Sequence, residues 1–451
     1  MRTREFYTEP HIGRGGIERN PWKLKRSWLT LLMFVIGASS TFDFSLVGRV
    51  TLAEVIAFAF VPYFWLNKRE SWINGNLIKC LWILALMFFG VIISDFILNN
   101  YFWFSARAFA RPVFMLGFLL FFIPVLKRDP LSIAAMVYGA VLAGVIKYLR
   151  PSQFEDAGAL DLESYAGIAF RVMPMIFAFI IALAVWVYPR SRLAAALCFV
   201  AGAASVVYFG GPRSSALNWM IAAGVVVSIW LLKSSRSRRI NLKKGRLILL
   251  GFVALLVMTM TYFAYIYAAP RGYLGEWQEQ KMLEQSRTVF GASPLGLILA
   301  GRPQFYGAVL GVIDSPIIGH GSWRHDLTSI YTFEAIASVG TDPRLIDMMT
   351  RSGGASGAGH SVLMQAWVEN GLIPAIALMA TMWIILKVGL FSIRYENRMT
   401  PYFVYTIISF SWAFLFSPPG MGLRFSIGLF MAFYVVFMDK KKPLAQMHVL
   451  P

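Results

Sequence analysis

Long apolar runs, recurring from residue 28 to residue 438 with short polar breaks, govern what this chain can fold into. A run of about twenty apolar residues is long enough to cross the hydrocarbon of a bilayer as a helix. Within that hydrocarbon each backbone N–H and C=O must find its partner inside the segment, which leaves the helix as the spanning form. We read about twelve spans, at 28–46, 50–66, 77–97, 108–126, 130–148, 167–188, 193–210, 216–232, 247–268, 362–386, 402–417 and 423–438. Composition agrees: 57% of the 451 residues are hydrophobic and 14% are charged, and the mean hydropathy is +0.61. Soluble domains carry about 25% charged residues, so a soluble fold is excluded. The expected fold class is an all-α polytopic membrane protein.

The formal charge is +19. The basic residues fall in short clusters between apolar runs, as cytoplasmic loops do. The charge therefore reports topology, and no nucleic-acid partner is expected. The rule places residues 1–27 in the cytoplasm as a polar tail and 439–451 there as a second tail. Spans one to nine occupy 28–268, a long outer loop occupies 269–361, and spans ten to twelve occupy 362–438. The strongest marker is the segment with Lys233, Arg236, Arg238, Arg239, Lys243, Lys244 and Arg246, which holds no acid. Such a segment meets anionic headgroups, so membrane lipids are expected partners. The first apolar run follows a basic, polar stretch without a convincing cleavage site and reads as an uncleaved span. Cys80 and Cys198 lie inside apolar runs and imply neither a disulfide framework nor a thiolate metal site.

Ionisable residues at membrane depth are costly and mark function. Here they are Asp43, Glu54, Asp95, Arg107, Arg111, Arg171 and Glu369. Arg107 and Arg111 share a helix face. With Arg171 and Arg213 they fall near the outer surface. For any one of them, helix-to-helix pairing or snorkelling is the plain alternative. A cluster of outward-facing arginines suits an anion such as a diphosphate, because guanidinium binds phosphate oxygens in a bidentate fork.

Three outer segments are specific. Phe209-Gly210-Gly211-Pro212-Arg213 makes a tight turn between the seventh and eighth spans. Gly301-Arg302-Pro303 lies ahead of Pro316-Ile317-Ile318-Gly319-His320-Gly321, and helices are expected at 276–291 and 303–313. Gly359-His360-Ser361 leads back into the membrane and on to Glu369-Asn370-Gly371-Leu372. Glu369 is nine positions past His360, on the opposite helix face, so it is expected to pair with an arginine of another span rather than with His360. His320 is read as structural. His320 and His325 lack the spacing of a zinc helix, and no metal or cofactor is expected.

Together these segments resemble the O-antigen ligase and polysaccharide polymerase superfamily of bacterial inner membranes. The shared pattern is an arginine after the seventh span, a Gly-Arg start to the long loop, Pro-x-x-Gly-x-Gly, a His-Ser entry into a helix, and Glu-x-Gly-Leu. The resemblance covers roughly residues 200–390. It implies a GT-C-like glycosyltransferase whose long loop is periplasmic. Such an enzyme moves a glycan from an undecaprenyl diphosphate carrier to an acceptor hydroxyl, on a growing glycan or on the lipid A core. It implies a cationic clamp on the leaving diphosphate from Arg213 and Arg302, joined by Arg107, Arg111 and Arg171. It implies His360 as the base for the attacking hydroxyl, since histidine titrates near neutral pH, with Glu369 and Asp326 supporting. Polysaccharide-assembly proteins are further partners in such systems. The rival reading is a transporter or flippase of lipid-linked glycans. The grouping of arginine and histidine motifs at one face, and the lack of an internal repeat, favour the enzyme.

Overall fold

In the computed structural model, residues 26–46, 48–66, 73–149, 165–208, 213–232, 244–274, 303–322, 361–417 and 421–438 are described, with isolated positions between 279 and 334. They form a helical bundle. In chain order the helices are α1 (Arg26–Ala38), α2 (Leu52–Leu66), α3 (Gly75–Ile97), α4 (Phe102–Arg128), α5 (Ser132–Leu149), α6 (Tyr165–Val187), α7 (Arg192–Tyr208), α8 (Arg213–Leu232) and α9 (Lys244–Ala268). They continue as α10 (Pro303–Asp314), α11 (Val362–Asn370), α12 (Leu372–Arg394), α13 (Thr400–Phe416) and α14 (Met421–Phe437). Segments within α3, α4, α8 and α12 are long and apolar enough to cross a membrane, and shorter apolar helices pack around them. The chain is an all-α, multi-pass membrane protein by this measure. Its outward face carries large apolar side chains, Trp82, Phe89, Phe96 and Trp383 among them, which suits lipid as the solvent.

Two departures from the hydropathy reading matter. The first run does not stay helical to residue 46. It leaves the helix after Ala38 and forms an antiparallel hairpin of β1 (Asp43–Leu46) and β2 (Gly48–Thr51), with Asp43 opposite Thr51. Asp43 is thus a hairpin residue. A new helix starts at once because Thr51 and Glu54 make a reciprocal cap: Thr51 N–H donates to Glu54 Oε2 at 2.7 Å, and Glu54 N–H to Thr51 Oγ1 at 3.2 Å. The tenth run is not one helix either. It breaks at Gly371 into α11 and α12.

Packing follows membrane rules, with small residues letting backbones approach. A side chain at Gly37 would meet the carbonyl oxygen of Met136, and one at Gly139 that of Phe34, each at 2.1 Å. These two glycines press α1 onto α5. The main core is aromatic: Phe64, Phe118, Phe121, Phe122, Phe403 and Phe430 are fully buried where α2, α4, α13 and α14 meet. A second core joins α6, α7, α8 and α13 around Trp219, which stacks on Tyr405 at 4.0 Å.

One end of the bundle is laced by ion pairs. Arg26 donates to Asp129 at 3.1 Å, Arg192 pairs with Glu396, and Arg398 donates to the Tyr138 hydroxyl at 2.7 Å. These ties join the start of α1 to the α4–α5 turn, and the start of α7 to the α12–α13 turn. They leave the opposite end to a different and more buried polar network.

Candidate functional site

The second network is built around the break between α11 and α12. Gly371 has φ +79 and ψ −165, a region open essentially to glycine alone. The turn exposes backbone groups that a continuous helix would have satisfied. The Pro316–Gly321 strap satisfies them. His320 N–H donates to the Val368 carbonyl at 2.8 Å, Gly321 N–H to Glu369 at 2.8 Å, and Leu372 N–H to Ile317 at 3.0 Å. Gly319, also at φ +79, lies so close that an added Cβ would stand 2.7 Å from Gly371 N. Two segments singled out separately in the sequence therefore form one clasp.

Side chains lock the clasp to the bundle. Glu369 is fully buried, accepts from Arg111 Nη1 at 3.1 Å and from Gln365 Nε2 at 2.7 Å, and its carbonyl accepts from Ser94 Oγ at 3.2 Å. The partner of Glu369 is an arginine of another span, as the helical spacing had indicated. Asp95 accepts Ser322 N–H at 2.7 Å and Asn100 Nδ2 at 2.8 Å. Asn100 Nδ2 also reaches the Ser322 carbonyl at 2.9 Å, and Asn370 Nδ2 donates to Ser322 Oγ at 2.8 Å. Trp367 Nε1 donates to the Pro316 carbonyl at 2.7 Å. The His320 ring is within 2.9 Å of the Gly311 carbonyl and packs on Tyr331. It braces the strap against α10.

The two helices that follow the Gly-Arg and His-Ser motifs start side by side. Ser361 caps α11 by accepting Met364 N–H at 3.1 Å, and its hydroxyl donates to the Phe414 carbonyl at 3.0 Å. Phe305 in the first turn of α10 packs on Phe416, ring centroids 5.5 Å apart. Further along, Val312 of α10 and Val368 of α11 share one small core. Both helices thus begin at the last turn of α13 and run together toward the clasp. Arg302 directly precedes α10, and His360 directly precedes Ser361. Arg302, His360 and Asp326 themselves lie outside the described residues, as does most of 276–291. Arg213 and Arg171 sit on the backbone of α8 and α6, and their side chains are outside the described set. Arg107, one turn before Arg111 on α4, is exposed. The expected helix at 303–313 is α10.

Sequence reasoning overlooked Arg424, near the start of α14. It donates to Glu54 Oε2 from Nη2 at 3.3 Å, its Nε forms an ion pair with Glu54 Oε1 at 3.0 Å, and its guanidinium lies over the Phe114 ring at 4.8 Å. The rule that flagged Arg111 applies to it equally, because it interrupts an apolar run. Asn100 and Asn370 both reach Ser322, a partner distant in sequence from each, whereas Gln365 reaches Glu369 one helical turn on.

No known family model matches the chain, and no curated protein matches it.

Proposed function

We propose that this protein is a membrane glycosyltransferase of the O-antigen ligase and polysaccharide polymerase type, with twelve crossing helices in a GT-C-like arrangement. In this reading it moves a glycan from an undecaprenyl diphosphate carrier to a sugar hydroxyl at the periplasmic face of a bacterial inner membrane. One observation carries it: α10 and α11 start together against the end of α13, so the chain neighbours of Arg302 and His360 are side by side. A transfer of this kind needs a cation on the departing diphosphate and a base on the arriving hydroxyl within one site. Arg302 takes the first role, with Arg213, Arg111, Arg107 and Arg171 completing the positive field, and His360 takes the second. Glu369 holds Arg111 and fixes α11. The acceptor is another lipid-linked glycan for a polymerase or the lipid A core for a ligase.

The test is transfer in vitro from a purified lipid-linked donor to a glycan acceptor. Arg302→Lys keeps the charge but loses the fork that binds two phosphate oxygens at once. It is expected to retain less than about a tenth of the wild-type rate, the worth of one charge-assisted hydrogen bond or more. Wild-type product from that variant refutes a clamp at Arg302.

Topology is a separate expectation of the same reading. A reporter fused near Lys243 should register in the cytoplasm, and one inserted near Ser338 in the periplasm. The basis is the acid-free basic segment Lys233 to Arg246. A cytoplasmic signal from Ser338 reverses the orientation and removes the periplasmic site with it.

A further inference from the structure

The ion pairs at the end of the bundle away from the clasp leave Arg398 without a counter-charge among the described residues. Asp129 is taken by Arg26, and Glu396 by Arg192. Arg398 has one bond there, the 2.7 Å donation from Nη2 to the Tyr138 hydroxyl. Its Nε–H is buried with no acceptor. Other cations of this end are placed differently. Arg128, Arg190 and Arg394 are exposed, and each lies over an aromatic ring, of Phe64, Trp186 and Tyr395 respectively. Water reaches them. Arg398 is only partly exposed.

The turn that carries Arg398 uses its own oxygens internally. Asn397 Oδ1 accepts Met399 N–H at 2.8 Å, and Thr400 Oγ1 accepts Asn397 N–H at 2.9 Å. The Asn397 carbonyl accepts Thr400 N–H at 3.0 Å. Tyr138 of α5 adds a second donor. A phenol that accepts a hydrogen bond still has its own O–H to give, and no described residue takes that proton. Tyr138 is also partly exposed, so both donors are open to an incoming group.

A guanidinium and a hydroxyl thus meet with donors in excess and no acceptor between them. The hydroxyl is neutral, so it leaves the charge of Arg398 uncompensated, which is costly where water is partly excluded. The missing member is an anion with at least two oxygens, one for each donor, and a phosphate supplies them. At a bilayer surface the phosphodiester of a lipid is the phosphate at hand. A headgroup of net negative charge compensates Arg398, whereas a zwitterionic one brings its own cation.

We infer that Arg398 and Tyr138 bind the phosphodiester of an anionic phospholipid between α5 and the α12–α13 turn. A free phosphate presents the same oxygens and is the other source of this chemistry. The site lies apart from the clasp and does not rest on the transferase reading.

Binding to the purified full chain in detergent tests this, with phosphatidylglycerol, phosphatidylcholine of the same acyl chains, and inorganic phosphate as probes. Lipid retention is read by native mass spectrometry, and folding by the thermal transition. The wild type is expected to bind phosphatidylglycerol at least about tenfold more tightly than phosphatidylcholine, the worth of a charge-assisted hydrogen bond. Arg398→Gln removes a part-buried charge and keeps an amide that can bond Tyr138, so it leaves no stranded ion behind. It is expected to lose that preference. Tyr138→Phe removes one neutral donor and is expected to weaken phosphatidylglycerol by about threefold or more. Arg394→Gln removes an exposed charge at the same end and is expected to bind like the wild type. Equal affinity of the wild type for the two lipids overturns the inference. So does an Arg398→Gln variant, folded, that keeps the preference, or an equal loss in Arg394→Gln, which would mark bulk charge. If Arg398→Gln fails to fold, unchanged phosphatidylglycerol binding by Tyr138→Phe overturns it. Displacement of phosphatidylglycerol by equimolar inorganic phosphate refutes the lipid as ligand and assigns the two donors to a free phosphate.

Discussion

His360→Ala is expected to lose transfer by at least about tenfold to a hundredfold while the protein still inserts and still binds donor. A sugar hydroxyl is a poor nucleophile at neutral pH, and general base catalysis typically contributes about 10²–10⁴-fold. His360 immediately precedes Ser361, whose hydroxyl both caps α11 and donates to the Phe414 carbonyl. Alanine keeps the backbone and removes only the imidazole. The measurement is single-turnover transfer from a lipid-linked donor, with donor binding followed in parallel. A loss of rate with unchanged binding marks a group that acts in the transition state. Normal transfer moves the base elsewhere, with Glu369 and Asp326 next in line. Of these, Glu369 is already engaged by Arg111 and Gln365. Loss of insertion or donor binding instead makes His360 structural.

Gly371→Ala is expected to abolish activity by dismantling the clasp. The backbone region alone costs a residue with a side chain on the order of 1–3 kcal/mol. In addition, the new Cβ would lie 2.0 Å from the Ile317 carbonyl oxygen. That oxygen accepts the Leu372 N–H, so relieving the overlap breaks the bond that joins strap to helix. The strap would release, and the network from Glu369 to Asp95 would loosen with it. Gly75→Ala is the control, because nothing lies within 4 Å of an added Cβ there. The expected result is a clear fall in the apparent melting temperature in detergent and no transfer for Gly371→Ala, with Gly75→Ala near wild type. Wild-type activity and melting for Gly371→Ala would show that the turn at 371 is not required.

Much of this architecture is legible in hydropathy because lipid demands long apolar runs and leaves few other ways to cross. The same cause hides the breaks. Residues 362–386 have the length of one crossing, and glycine is common inside membrane helices, so the Glu369-Asn370-Gly371 interruption reads as a polar site within one span rather than as its break. The hairpin at 43–51 is concealed likewise by the length of the run, although Phe42, Phe44 and Leu46 alternate with Asp43 and Ser45 at the strand period. The Thr51-x-x-Glu54 cap was a readable marker of a fresh helix start. In the site, the Pro316–Gly321 and Glu369–Leu372 motifs were visible as patterns. That one satisfies the backbone of the other was not, because hydrogen bonds between main-chain groups leave no side-chain signature. Arg111 and Glu369 are 258 positions apart, and only the observation that Glu369 faces away from His360 pointed toward such a partner.

The strap meets the broken helix through Ile317, His320 and Gly321 main-chain atoms, while the Ile317 side chain is 70% exposed. Geometry and surface chemistry are thereby uncoupled at this rim. Substituting Ile317 changes the exposed surface without altering the main-chain bonds that set the register. Gly319 and Gly321 beside it admit no such freedom. A short stretch of this chain thus combines a position that can be rewritten freely with positions that cannot, and a library confined to Ile317 would vary the exposed surface on an unchanged frame.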